Sequence, residues 1–227
     1  MSIVGIIATY VFYKMMNWQL AFCIFYFTLM EIIQAIGYLV IDDCNNIINK
    51  FMSYLNYIHI SFQPAVFVFF YYSLMNFFKL PNITQSAFKV INGIALICGL
   101  FFLSRLFPIS KYNLQSNCAL CGKKPCVKSG KHHLKIEMPL RKEPEYLTPS
   151  IFVHFLFFFL PPLFMGKCAI IIDLFIFIGL LMINSFSNST PEEISTTWCL
   201  FSIAQIISSI AIAYVFYKTN GNRKSLF

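Results

Sequence analysis

The sequence predicts an all-α, polytopic transmembrane bundle of about seven helices, and three observations carry that expectation. Composition is the first: 58% of residues are hydrophobic, 18% aromatic and only 11% charged, too little polar surface for a water-soluble domain. The second is the recurrence of stretches near the roughly 20 apolar residues a helix needs to cross the hydrocarbon core. The third is uniformity. Val66 to Phe70 and Phe155 to Phe159 are apolar on every side, whereas strands of a membrane barrel alternate apolar and polar residues.

The first span falls at residues 3–16. At about 14 residues it has a length shared with interfacial and signal-like segments, but it lacks a basic leader and a small-residue cleavage site and is kept as a helix. Spans two, three and four are placed at 18–40, 53–78 and 90–107 by the length rule for a crossing. The fifth, sixth and seventh follow at 149–166, 168–185 and 194–217. Pro64, Pro161 and Pro162 lie inside spans, where each removes a backbone hydrogen bond, so kinks are expected there. With no internal repeat, residues 1–227 read as a single transmembrane domain. The exception is 108–148, an extramembrane loop between helices four and five, long enough for the loop-length rule to mark it as functional or disordered.

The net charge of +8 bears mainly on topology. Outside the long loop, Lys14, Lys79, Lys89, Lys167, Lys218, Arg223 and Lys224 fall on one side of a seven-span chain and Lys50 on the other. Under the positive-inside rule this puts the N-terminus outside. The basic residues of the loop, Arg105 and Lys111 through Arg141 and Lys142, pull the other way, and N-out is the favoured reading. The expected location is a cell membrane, inner or plasma, with the lipid bilayer as partner. No nucleic-acid partner is expected, because no recognition motif or aromatic-basic interleaving accompanies the charge.

Cys44 in loop two and Cys118, Cys121 and Cys126 in loop four face one compartment under this topology. An oxidising compartment allows two disulfides to pin loop four over loop two. A reducing one leaves free thiols, or a zinc site from Cys118, Cys121, Cys126 and His132, three thiolates and an imidazole in a tetrahedral set. No cofactor is expected, with zinc as the alternative. Cys23, Cys98, Cys168 and Cys199 sit in or beside spans and read as small apolar residues.

Ionisable groups in hydrocarbon cost a few kcal/mol and face a cavity or a partner, so the polar residues of the spans are the candidate site. Glu31, Gln34 and Tyr38 form an i, i+3, i+7 stripe on one face of the second helix. His59 and Gln63 repeat this at i, i+4 on the third, and His154 opens the fifth. Asp42 lies at the loop-two boundary, and Glu192 and Glu193 open the seventh helix, where a helix N-terminus favours carboxylates. Counting along the helices puts Glu31 near mid-membrane, and the set gathers toward the face bearing loops two, four and six, a polar pocket for a small or lipid-like ligand. The plain alternative is interhelical hydrogen bonding, worth about 1 kcal/mol per pair. Trp198 reads as an interfacial anchor, and the two loop histidines as surface residues.

The segments FTLMEIIQAIGYLVIDDC, YIHISFQP, TPSIFVHFLFFFLPP and TTWCLFSIAQ together resemble a family of seven-helix membrane proteins, mostly bacterial, with no assigned activity. The resemblance covers most of the chain and implies a fold and a shared pocket, carried by Glu31, Gln34, Asp42, Cys44, His59, Gln63, His154 and Trp198. Retinal proteins, G-protein-coupled receptors and ceramidase-like hydrolases fit poorly, since their lysine, sequence runs and third histidine are missing. Three function classes follow. The first is a non-catalytic ligand-binding membrane protein; the second an intramembrane metal-dependent hydrolase holding its metal through His59, His154 and Glu31; the third a proton-coupled transporter relaying through Glu31 and His59.

Overall fold

Among the described residues of the computed structural model are four helices of 13 residues or more, a shorter helical segment at 205–211 and one β-hairpin. The structure describes residues 2–15, 17–78, 85–107 and 120–141, together with 156, 157, 160, 161, 178, 193, 205–211, 214, 215 and 218. Helix α1 spans Ser2–Lys14, α2 Trp18–Leu39, α3 Ile47–Phe77 and α4 Gln85–Ser104. Strands β1 (Cys126–Ser129) and β2 (Leu134–Glu137) pair antiparallel, with Val127 opposite Ile136. Three of the helices, 18–39, 47–77 and 86–104, are long and apolar enough to cross a membrane. The protein is mostly helical, but the described residues do not support a count of seven. The spans expected at 149–166, 168–185 and 194–217 lie mostly outside them; of their described residues 205–211 form a further helical segment, and 156, 157, 178, 214 and 215 are helical too.

Local chemistry sets the helix ends. Asn17 caps α2, its side chain accepting from the Leu20 N–H at 3.0 Å. Asn46 caps α3, accepting from the Ile48 N–H at 2.9 Å, the expected work of a short polar side chain at the N-cap. That cap starts α3 six residues before the predicted residue 53, because a length rule scores apolar residues and passes over the polar Asn49 and Lys50. The same omission placed the start of α4 too late. Helix α3 runs through Pro64.

Consecutive helices pack as neighbours, α1 on α2, α2 on α3 and α3 on α4. At Gly99, a Cβ would come within 2.7 Å of the Ser61 carbonyl oxygen, so only glycine lets α4 approach α3 this closely. The Tyr57 hydroxyl donates to the Phe102 carbonyl at 2.7 Å, in the last turn of α4. The first ten or so residues of α3 therefore continue past the end of α4, an overhang of about 15 Å at 1.5 Å per residue.

Two apolar clusters follow. The larger joins Leu20, Phe27, Phe67, Phe70, Tyr71, Leu74 and Phe88 between the helices. The second joins Met30, Ile33 and Met52 of α2 and α3 to Val127, Leu134, Ile136, Met138 and Leu140. The hairpin residues in it are at most 1% exposed. Part of the expected loop is therefore a folded element, whose inner side chains cover the overhanging ends of α2 and α3.

Candidate functional site

The base of the hairpin is fixed to α3 by Asn49, which is fully buried. Its amide nitrogen donates to the carbonyls of Val40 (2.7 Å) and Val127 (2.9 Å), and its oxygen accepts from the Val127 N–H at 2.8 Å. Beside it, the Asp42 N–H donates to the Val127 carbonyl at 3.0 Å. Asp42 sits at φ 65°, the left-handed region that Asp tolerates better than most residues. Its carboxylate accepts from the Ser129 N–H at 2.9 Å and from the Ser129 hydroxyl. These two bonds to Ser129 hold the Asp42 carboxyl below its ordinary pKa.

A disulfide closes the same junction, joining Cys44 to Cys126 with their Cα atoms 5.0 Å apart, and Cys121 is disulfide-bonded as well. This corrects the zinc alternative: the sulfurs of Cys121 and Cys126 are spent in disulfides and offer no thiolate. Cys118 lies outside the described residues, and His132 is exposed at the hairpin turn. Among the described residues no three of His, Cys, Asp or Glu gather as a metal site.

The hairpin tip is held by a different group. Glu193, fully buried, accepts from the N–H of His132 (2.7 Å) and of His133 (2.9 Å) through one oxygen. Gly130 is required here, since a Cβ would collide with that carboxylate and with the His133 carbonyl. His133 Nδ1 accepts from the Leu134 N–H at 2.8 Å, which makes it the unprotonated nitrogen, so the Tyr38 hydroxyl at 3.0 Å donates to it. Burial lowers the His133 pKa, against the pull of the nearby Glu193 carboxylate. Glu31 and Glu193 both act electrostatically on the Tyr38 phenol. The structure thus brings Tyr38, His133 and Glu193 together at the hairpin tip, with Glu31 two turns before Tyr38 on the same helix.

On this α2 face two polar atoms are buried without a hydrogen-bond partner, Glu31 Oε1 and Gln34 Nε2. Glu31 lies five residues beyond Tyr26, about 7–8 Å along the axis, and Tyr26 faces His59 of α3. That puts Glu31 at the height of the last turn of α4, not midway along the bundle.

His59 stands apart from that group. Its Nε2–H donates to the Tyr26 carbonyl at 2.7 Å, the Tyr26 hydroxyl donates back to the His59 carbonyl at 2.7 Å, and the rings stack with centroids 4.0 Å apart. The remaining nitrogen, Nδ1, is buried and unpartnered. Gln63 is buried one turn further on, and His154 lies outside the described residues.

Below Glu31 on α2 the surface becomes an apolar cleft, lined by Val4 and Ala8 of α1, Ile24, Phe27 and Thr28 of α2, and Ile210. The Thr28 hydroxyl is already satisfied by the Ile24 carbonyl at 2.8 Å. Sequence reasoning passed over Asn49 and read His133 as a surface residue, whereas it is half-buried against Tyr38. A signal existed for the first: Asn49, Ser53 and Asn56 recur at i, i+4, i+7 and are all fully buried. His133 carried none beyond its residue type.

Fold and site together describe a helical protein with three membrane-capable helices and a disulfide-pinned hairpin over a partly buried polar stripe. A family model described as a family of unknown function, DUF5765, matches residues 1–218, and the chain belongs to that family. No curated protein and no solved structure matches it.

Proposed function

We propose that this is a multi-pass membrane protein whose α2 stripe, beneath the hairpin, binds a small or lipid-like ligand without catalysing a reaction on it. One observation carries the reading. Glu31 Oε1 and Gln34 Nε2 are buried without partners on neighbouring turns of one helix face. Leaving such groups unsatisfied costs about 1–3 kcal/mol each, a cost that a bound ligand offsets.

The disulfides support an orientation with the hairpin in an oxidising compartment, which agrees with the N-out topology favoured by the charges outside the loop. The overhang of α2 and α3 past α4 supports a position of the stripe near the headgroups rather than at the centre of the bilayer.

Native mass spectrometry of the detergent-purified protein tests the binding. Wild type is expected to retain a bound species, and Gln34→Leu to lose it while still folding. A wild type that is stable and empty would overturn the proposal.

A further inference from the structure

We infer that the outer face of the hairpin binds the phosphate headgroups of anionic phospholipids beside α4. The inference rests on the membrane reading above, not on the ligand stripe, and adds a lipid class and the surface that selects it.

Charge is the starting point. Residues 120–141 carry six cationic side chains, Lys123, Lys124, Lys128, Lys131, Lys135 and Arg141, against the single carboxylate of Glu137. Strand alternation separates the charges from the core. Val127, Leu134 and Ile136 point inward and are fully buried, so Lys128, Lys135 and Glu137 stand on the opposite face. There Lys128 lies directly across from Lys135 in the register, a like-charge cross-strand pair that costs stability. Glu137 offsets only part of that cost, with carboxylate oxygens 2.7 Å from Lys128 Nζ and 3.7 Å from Lys135 Nζ. Two ammonium groups share one carboxylate, and the exposed Lys123, Lys124 and Lys131 add to the excess.

Position identifies the anion. Tyr57 of α3 belongs to the hairpin cluster and also donates to the Phe102 carbonyl of α4, so hairpin and α4 cover one side of α3 end to end. Their ends are tied together, because the Arg141 N–H donates to the Arg105 carbonyl at 3.1 Å and Leu106 packs against the hairpin cluster. Below the hairpin, Val90, Ile94, Ile97 and Phe101 of α4 are exposed, an apolar face suited to lipid tails. At the other limit, Val127 and Leu134 lie against Gly37 of α2, within the overhang of about 15 Å. The outer lysines therefore stand close beyond the end of α4, and their long stems reach back toward it. A basic face in that place lies over the headgroups of lipids whose tails contact α4. There its ammonium groups donate to phosphate oxygens, and the negative surface potential of anionic lipid holds them.

The test places the full chain in mixed micelles with equal amounts of phosphatidylcholine and phosphatidylglycerol of the same acyl chains, and counts the retained lipids by native mass spectrometry. Wild type is expected to retain phosphatidylglycerol at least about tenfold over phosphatidylcholine, since each lysine near an anionic surface is worth roughly fivefold. Rising salt should erode that preference. The Lys128→Gln, Lys135→Gln double variant should lower it about tenfold, whereas Lys14→Gln, on α1, should leave it unchanged. Thermal unfolding checks that each variant folds, and Lys123→Gln with Lys124→Gln, at exposed positions, serves where the strand pair does not. No preference in wild type, a preference that the lysine pair keeps, or one that falls equally in Lys14→Gln overturns the inference. Displacement of the lipid by dissolved glycerol 1-phosphate would make the surface a soluble-phosphate site and overturn the lipid. Alkaline carbonate extraction of cell membranes separates this from the reading beneath it. A chain that stays with the membrane yet shows no preference loses only the headgroup site, and a chain that is released loses both.

Discussion

Asn49 does with one side chain what a neighbouring strand would do with a peptide, since its amide meets both the N–H and the C=O of Val127. Replacing it with Leu keeps the volume and strands the buried Val127 N–H, while the Val127 carbonyl still accepts from the Asp42 N–H. A stranded buried group costs about 1–3 kcal/mol, so Asn49→Leu is expected to destabilise the protein by about that much, read by thermal unfolding in detergent. A loss under about 0.5 kcal/mol, the scale of a surface change, would show that the hairpin is held by packing alone. His133 gives a pH dependence. Its folded pKa lies below the usual 6.5, so the unfolded chain binds more protons, and its contribution is present above that value and lost as pH falls through the folded pKa. Stability should thus fall as the pH drops below about 6.5, and less so in His133→Asn. Asp42, also depressed, acts in a separate window, its contribution present above pH 3.8 and lost below. A stability curve flat from pH 7 to 5 would remove His133 from the latch.

Among the elements, the hairpin departs furthest from a helical reading. Strands of four residues each are too short to signal themselves by alternation, and the pair is marginal without something to pack on. What stabilises it is external: the overhang of α2 and α3, the Asn49 clamp and the Cys44–Cys126 bridge. That bridge closes a loop of 82 residues, worth about 4–5 kcal/mol by loop-closure entropy. Cys44→Ser should therefore lower the unfolding temperature, and reductant should lower it in wild type but have a smaller effect on the variant. If reductant leaves wild-type stability unchanged, the bridge is not a structural staple. The helices were easier to read. Helix α2 was placed to within a residue at each end because its apolar run coincides with its helical run. Helix α3 was not, because its first two turns carry the polar Asn49, Lys50 and Ser53, of which Asn49 binds the hairpin and Ser53 bonds back to the Asn49 carbonyl.

For the whole molecule, orientation is the open consequence. The proposed arrangement puts the hairpin outside the membrane-bounded compartment. Lys124→Cys, an exposed position on the hairpin, should therefore react with a membrane-impermeant maleimide in intact cells, and labelling only after permeabilisation would reverse the topology. The sequence by itself determined the helical, apolar character of the chain, the position of α2, and the shared face of Glu31, Gln34 and Tyr38, because composition and the 3.6-residue period are local properties. Only the tertiary structure decided which cysteines pair, that part of the loop folds as a hairpin, that His133 joins Tyr38 and Glu193, and that His59 belongs to a separate clamp with Tyr26. Those outcomes depend on contacts between residues far apart in the chain, up to 138 positions for Tyr71 and Ser209. They also depend on how far one helix overhangs another, a quantity no single helix carries in its own residues.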